Sequence, residues 1–330
     1  MTTSPQTDKR IGPPTPYDPE LAASLDQVVS LLEAFMSGEI PPHDVPGIVV
    51  APTDEELSRD GRFSVEERAV PGPDGSPEIS LLIVRPVGSE APTPVIYHTH
   101  GGGMIAGDNR LGIDSVMAWA EEFGAAVVSV EYRLAPGTPH PGPIEDVYAG
   151  LRWTAENAAE LGIDPSRIIV AGASAGGGLT AALALLARDR GGPAIAAQVL
   201  MCPMLDDRND TVSAIQMTGL GVWDSEANAA GWGALLGEAR ATADVSPYAA
   251  PARATDLSGL PPTLIDVGSA ETFRDEAVAY AGEIWRAGGQ CELHVWTGGF
   301  HGYDGLVPHA AISEDTREAR LRWLRRILGA

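Results

Sequence analysis

The sequence predicts an α/β fold: a mostly parallel central sheet, helices on both faces and a helical cap. Three observations predict it. Short apolar or alternating runs, VIYHTH, AAVVSVEY, RIIVAG, AAQVLMC, PTLIDVG and CELHVWTG, recur between residues 95 and 298. Helical stretches, 144–160, 175–188 and 272–287 among them, separate most of these runs. Strands that alternate with helices pair through crossovers, which gives a parallel sheet covered on both sides. The third observation is scale: 330 residues with 44% hydrophobic content suffice for one large core plus an accessory layer.

Taken in order, residues 1–17 are polar and proline-rich, and read as disordered or loosely docked. Asp18-Pro19 then supplies an N-cap and a first-turn proline. Leu21, Leu25, Val28, Leu32 and Phe35 share one helical face, and Gly38 can end the helix. A face that apolar must pack on the rest of the chain. The link PPHDVPG follows, so residues 1–55 read as an N-terminal segment ahead of a core spanning 56–330. Residues 62–70 and 78–85 alternate around the turn PGPDGSP, the pattern of a β-hairpin. The runs named above continue the sheet, and a last helix, 313–328, turns Leu321, Leu324 and Leu328 inward. Residues 206–260 break the rhythm. They hold Trp223, Trp232, many alanines and no strand pattern, and as an insertion at the strand ends they are placed to cover a site.

Composition excludes several function classes. The formal net charge of −23 repels phosphates, so nucleic acid and anionic membrane surfaces are not expected partners. Most of the acid reads as a solvated surface. Two cysteines, Cys202 and Cys291, cannot make a disulfide scaffold, and no Cys/His spacing suits a zinc site. The first residues, MTTSPQTDKRIGPP, lack the apolar centre of a signal peptide, and no run approaches ~18 apolar residues. The expectation is a cytoplasmic protein without a membrane span.

Chemistry enters with GASAGG, residues 172–177, between the strand RIIVAG and the helix AGGGLTAALALLA. So sharp a strand-to-helix turn needs glycine at both flanks, because a Cβ there would meet neighbouring backbone. The turn lifts Ser174 Oγ to the carboxyl edge of the sheet, at the N-terminus of a helix. HGGG, residues 100–103, follows the strand VIYHTH and presents bare backbone N–H groups that can donate to a developing oxyanion. A serine so placed needs a base later in the chain. His294 lies inside a strand, and His309 has no evident anchor. His301, in GGFHGYDG, sits just past a strand end between glycines, where open α/β sheets carry their catalytic groups.

At this point the chain resembles the bacterial hormone-sensitive-lipase family of α/β-hydrolase esterases. The resemblance rests on YHTHGGGMIAGD (97–108), EYRLAPGTPHPGPIEDVYAGLRW (131–153), GASAGG, VSPYAAPARATDLSGLPPTLI (245–265), ETFRDEAVAYA (271–281) and FHGYDGL (300–306), in family order. It implies Ser174 as nucleophile and His301 as general base. It implies oxyanion N–H groups from Gly102, Gly103 and Ala175, with Gly101 supporting their loop. It also implies that the N-terminal helix and residues 206–260 form the cap. The chain departs from the commoner pattern twice. E-T-F-R-D-E stands where D-P-L-R-D-E is usual, and Ala173 stands where an aspartate usually precedes the serine.

The first departure makes the acid a question among four carboxylates. Asp266 falls within the strand PTLIDV, short of its end, and reads as a structural hydrogen-bonding group. Thr272-x-x-Asp275 reads as a capping box, with Asp275 opposite the apolar stripe and Glu276 at its flank; both suit the helix N-terminus. Glu271 remains, in the loop between strand and helix. It is the carboxylate placed to accept from His301 Nδ1–H and fix the tautomer.

The reading is a serine carboxylesterase with a Ser174-His301-Glu271 triad and no metal or cofactor. The resemblance implies a small-molecule ester with a short- to medium-chain acyl or an aryl group, and makes a homodimer a frequent state. The same triad would serve a lactonase, an amidase or a carbamate hydrolase. A small-ligand receptor on this fold is the reading from another class; receptors of that kind lack the histidine base, which is present here. Met104, Trp223 and Trp232 either line the pocket or pack in the core.

Overall fold

The computed structural model describes residues 11–36, 51–89 and 92–329. Its strands are β1 (Phe63–Val70), β2 (Ile79–Pro86), β3 (Thr93–Thr99), β4 (Ala126–Glu131), β5 (Ile163–Ala173), β6 (Ala197–Met201), β7 (Thr263–Gly268) and β8 (Cys291–Trp296). They form one sheet in the order β1-β2-β4-β3-β5-β6-β7-β8. The hairpin forms in antiparallel register, Phe63 opposite Pro86 and Val70 opposite Ile79. β2 also runs antiparallel to β4, and every pairing from β4 through β3 to β8 is parallel.

Neighbouring strand residues face opposite sides of a sheet, and here both sides are buried. Val95 and Tyr97 join one apolar cluster; Ile96 joins another across the sheet. In the early part of the chain the helices are α1 (Pro19–Met36), α2 (Asp54–Ser58), α3 (Ile113–Phe123), α4 (Gly142–Glu156), α5 (Ala158–Leu161) and α6 (Ala175–Arg190). Those after β6 are α7 (Val212–Gln216), α8 (Ser225–Leu236), α9 (Arg274–Arg286), α10 (Tyr303–Leu306) and α11 (Ala311–Leu328). α4 and α6 cover the Tyr97 face, and α3 and α11 the other. The stretch read as one helix over 144–160 divides at Asn157, whose amide turns back to the Trp153 carbonyl at 2.8 Å. On α11 the inward residues are Trp323 and Leu324, with Leu321 and Leu328 half-buried beside them.

Asp18 caps α1 through the Glu20 N–H, at 2.9 Å. Leu21, Leu25 and Val28 pack on Phe300, Tyr303 and Val307, the residues around His301. The Leu32 and Phe35 side chains, Gly38 and the PPHDVPG link lie outside the described residues. Residues 206–260 contain α7, α8 and short 3₁₀ turns, with no strand among the described residues. No helix among the described residues is long and apolar enough to cross a membrane.

Candidate active site

Ser174 joins β5 to α6 with φ 57° and ψ −124°. This is a strained conformation for a residue with a Cβ, held only where the surroundings over-determine it. They do so here. A Cβ on Gly172 would lie 2.4 Å from the Gly176 carbonyl oxygen, and one on Gly176 would lie 2.0 Å from that of Thr99. The Ser174 N–H donates to Met201 O at 2.9 Å, and its carbonyl accepts from Gly178 and Met204, each at 3.0 Å. The side chain is left to project from the carboxyl edge.

His301 lies between β8 and α10. Its Nε2 stands 3.0 Å from Ser174 Oγ, and Phe273 meets the ring edge-on at 5.1 Å. Its Nδ1 is 3.5 Å from Glu271 Oε2. That separation is an electrostatic contact rather than a hydrogen bond; such contacts are often long in unliganded sites and tighten when substrate is seated. Glu271 is 1% exposed, and burial raises its pKa although His301 pulls the other way. Burial opposes an imidazolium at His301, yet its pKa lies well above the usual histidine value, because charge on Cys202 and on Glu271 favours the protonated ring. The Cys202 thiol is itself pushed up by burial. The site thus favours a protonated ring at His301.

Asp266 is a strand residue with a structural partner. It forms a bidentate pair with Arg320 of α11, 2.7 Å at both contacts, and Arg320 also reaches Asp304 at 2.5 Å. Arg320 and Asp266 are both buried. We expect Asp266→Ala to cost about 3 kcal/mol of stability, because a buried guanidinium loses one of its two acids. Urea denaturation of the variant measures this as a lowered midpoint.

The expected capping box does not form. Phe273 occupies the N-cap of α9 and no side chain caps it. Thr272 Oγ1 instead donates to the Trp223 carbonyl at 2.7 Å. Asp275 accepts from the Ser213 N–H at 2.8 Å and from Arg274 Nε at 2.7 Å. The polar groups of this turn satisfy backbone of the 206–260 insertion, which local spacing cannot reveal.

Glu276 sits deeper than a helix flank: it is 2% exposed, and Oε1 accepts the Leu205 and Asp206 N–H groups at 2.6 and 3.3 Å. Burial, with the Asp206 charge adding to it, pushes this carboxyl well above the usual range despite those N–H groups. The folded state therefore keeps a proton that the unfolded chain loses. The stabilising contribution is full below the unfolded pKa and disappears as pH rises through the folded one. Glu276→Gln keeps an acceptor for both N–H groups and removes that loss. Its urea midpoint relative to the parent should therefore be higher at about pH 8 than at about pH 5.

The HGGG loop carries Gly102 at φ 106° and Gly103 at φ 62°, both in glycine's territory. A Cβ on Gly103 would lie 2.3 Å from Cη2 of Trp223, so the insertion's tryptophan presses on the loop. His100 Nδ1 is 2.8 Å from the Gly101 carbonyl, Tyr132 Oη donates to the His100 carbonyl at 3.0 Å, and the two rings stack at 4.1 Å. Burial pushes the His100 pKa down to about 4, so its ring is neutral and Nδ1–H is the donor. Gly178 is the first residue of α6 whose N–H reaches back to Ser174, which leaves the Ala175 N–H pointing out of the helix end. Met104 and Trp232 are fully buried and join the core; Trp223 is only half-buried. His294 stacks on Trp296 within β8, and His309 is exposed.

Sequence reasoning did not find Tyr132, Arg320 or Cys202. Tyr132 and Arg320 act through loops distant in sequence. Cys202 follows β6 with φ 37°, and its Sγ, a Glu271 oxygen and a His301 nitrogen all lie within 4.8 Å of one another. A separate open groove of about 560 Å³ contains none of these residues. Arg133 and Arg190 on its wall are already paired with Asp146 and Glu145.

A family model described as the alpha/beta hydrolase fold matches residues 96–304. Carboxylesterase NlhH of Mycobacterium tuberculosis is 39% identical over 256 residues, covering 75% of this chain and 78% of that protein. Human hormone-sensitive lipase is 34% identical over 145 residues, 44% of this chain and 13% of that much longer protein. Among solved structures, a bacterial heroin esterase is 40% identical with a TM-score of 0.85, covering 94% of this chain and 98% of its own.

Proposed function

Since the chain belongs to the α/β-hydrolase family, as a carboxylic ester hydrolase of the hormone-sensitive-lipase group, we propose that Ser174, His301 and Glu271 are its triad. Gly102, Gly103 and Ala175 form the oxyanion hole in this reading. One observation carries it: a serine on a strained strand-to-helix turn with His301 Nε2 3.0 Å from its Oγ.

His301 takes the Ser174 proton as Oγ attacks the ester carbonyl carbon. The negative charge moves to the carbonyl oxygen, where the three N–H groups receive it. On collapse the alcohol leaves with the proton held by His301. Water, deprotonated by the same ring, then hydrolyses the acyl-enzyme and returns Ser174 to its starting state. Glu271 keeps Nδ1–H directed at itself, so that Nε2 remains the face that exchanges protons.

The N-terminal segment and residues 206–260 act as the cap. Trp223 against Gly103 narrows the site beside the oxyanion loop, which supports short- to medium-chain acyl or aryl esters as substrates. A panel of p-nitrophenyl esters from acetate to dodecanoate, with an amide and a lactone, tests this. Turnover should be highest at the short end. No ester turnover overturns the reading, and preference for the lactone or the amide redirects it to those classes.

A further inference from the structure

Ester hydrolysis leaves the Cys202 thiol unused. The residue stands at the carboxyl edge of the sheet, with its N–H donating to Asp266 O at 2.7 Å. This anchoring sets the thiol between the strand that ends in the serine turn and the loop that carries Glu271. Sγ, a Glu271 oxygen and a His301 ring nitrogen lie within 4.8 Å of one another. Glu271 is buried, and its Oε2 meets His301 Nδ1 only across 3.5 Å, longer than a good hydrogen bond. A cation set between the thiol, the carboxylate and the ring would replace that long contact with direct coordination.

Thiolate, imidazole and carboxylate are all zinc ligands, and the sulfur selects soft cations over magnesium or calcium. Bond lengths of about 2.0–2.3 Å place tetrahedral ligand atoms roughly 3.3–3.8 Å apart. The three side chains would close by about an ångström, which rotamer adjustment allows. Three protein ligands leave a fourth position for water. The His301 side chain is 11% exposed, so a cation can enter past that ring.

We propose that Cys202, Glu271 and His301 form an inhibitory site for a soft divalent cation, zinc or cadmium, which draws His301 away from Ser174. The thiol proton passes to solvent as the sulfur–metal bond forms, and the ring proton moves from Nδ1 to Nε2 through solvent as Nδ1 takes the cation; the cation takes no part in ester hydrolysis. Inhibition rests on His301 being the general base, whereas binding does not.

The test uses the full chain, stripped with a chelator and titrated first with cobalt(II). One equivalent should produce a thiolate-to-cobalt charge-transfer band that zinc then displaces. Cys202→Ser should abolish the band and weaken zinc binding by about tenfold or more, and Cys202→Ala and Glu271→Gln should weaken it likewise if the serine variant folds poorly. Cys291→Ser, altered at the opposite end of β8, should keep the band. No band in the parent, or a band lost only in Cys291→Ser, overturns the site. In parallel, zinc should suppress ester turnover in the parent reversibly on chelation. A Cys202-dependent band with turnover intact would keep the site but overturn His301 as the base.

Discussion

Replacing His301 with alanine should lower kcat by about 10⁶-fold, with KM for a short p-nitrophenyl ester changed little. The size follows from the unit the histidine serves. Without the base, Ser174 Oγ keeps its proton, and losing either nucleophile or base removes nearly all that the triad supplies. The oxyanion donors remain, so a residual rate about 10³–10⁴ above water persists. Single-turnover kinetics on purified variant measure the loss. Ser174→Ala should fall to the same floor, and the double variant should fall no further, because the two act together. A His301→Ala enzyme within tenfold of the parent would remove the histidine from the mechanism.

Glu271→Gln should lower kcat by about 10⁴-fold, near 5 kcal/mol of transition-state stabilisation. The amide is isosteric, so the buried loop keeps its shape, but its NH₂ group can no longer hold His301 Nδ1–H. The imidazolium also loses its counter-charge at 3.5 Å. Since the Glu271 charge is among the causes that raise the His301 pKa, the acid limb of kcat should move to lower pH in the variant. A structural role alone would lower the folded fraction without moving that limb. The assignment fails if Glu271→Gln retains near-normal kcat while Asp266→Ala loses it in correctly folded protein.

The sheet was legible because buried strands write themselves as short apolar runs, and every run named from the sequence is a strand. Ser174 was legible for a similar reason: the backbone conformation at position 174 demands glycine two residues away on each side. His301 could be picked out by its place past a strand end. What escaped the sequence was non-local. The spacing Thr272-x-x-Asp275 is genuine capping chemistry, but Trp223 and Ser213 claim those groups from another segment. Arg320 falls on α11 among residues that an apolar stripe ignores, and only the fold brings Asp266 and Asp304 to it. Cys202 has no motif at all. Its position is set by a strand end and one positive φ, neither of which spacing records.

The segment that precedes and forms α1 has a consequence for how activity is lost. Thr15 Oγ1 donates to the Ser269 carbonyl, two residues before Glu271, and Asp18 N–H donates to Gly298 O, three residues before His301. Leu21, Leu25 and Val28 then clamp the turn after the histidine. The two loops that carry the proposed acid and base are thus fastened by one peripheral strap, while the serine is fastened by the sheet. Elements held at the rim open at lower free energy than central strands. Working enzyme therefore counts only molecules whose strap is seated, and sub-global opening can silence the protein while its core remains folded.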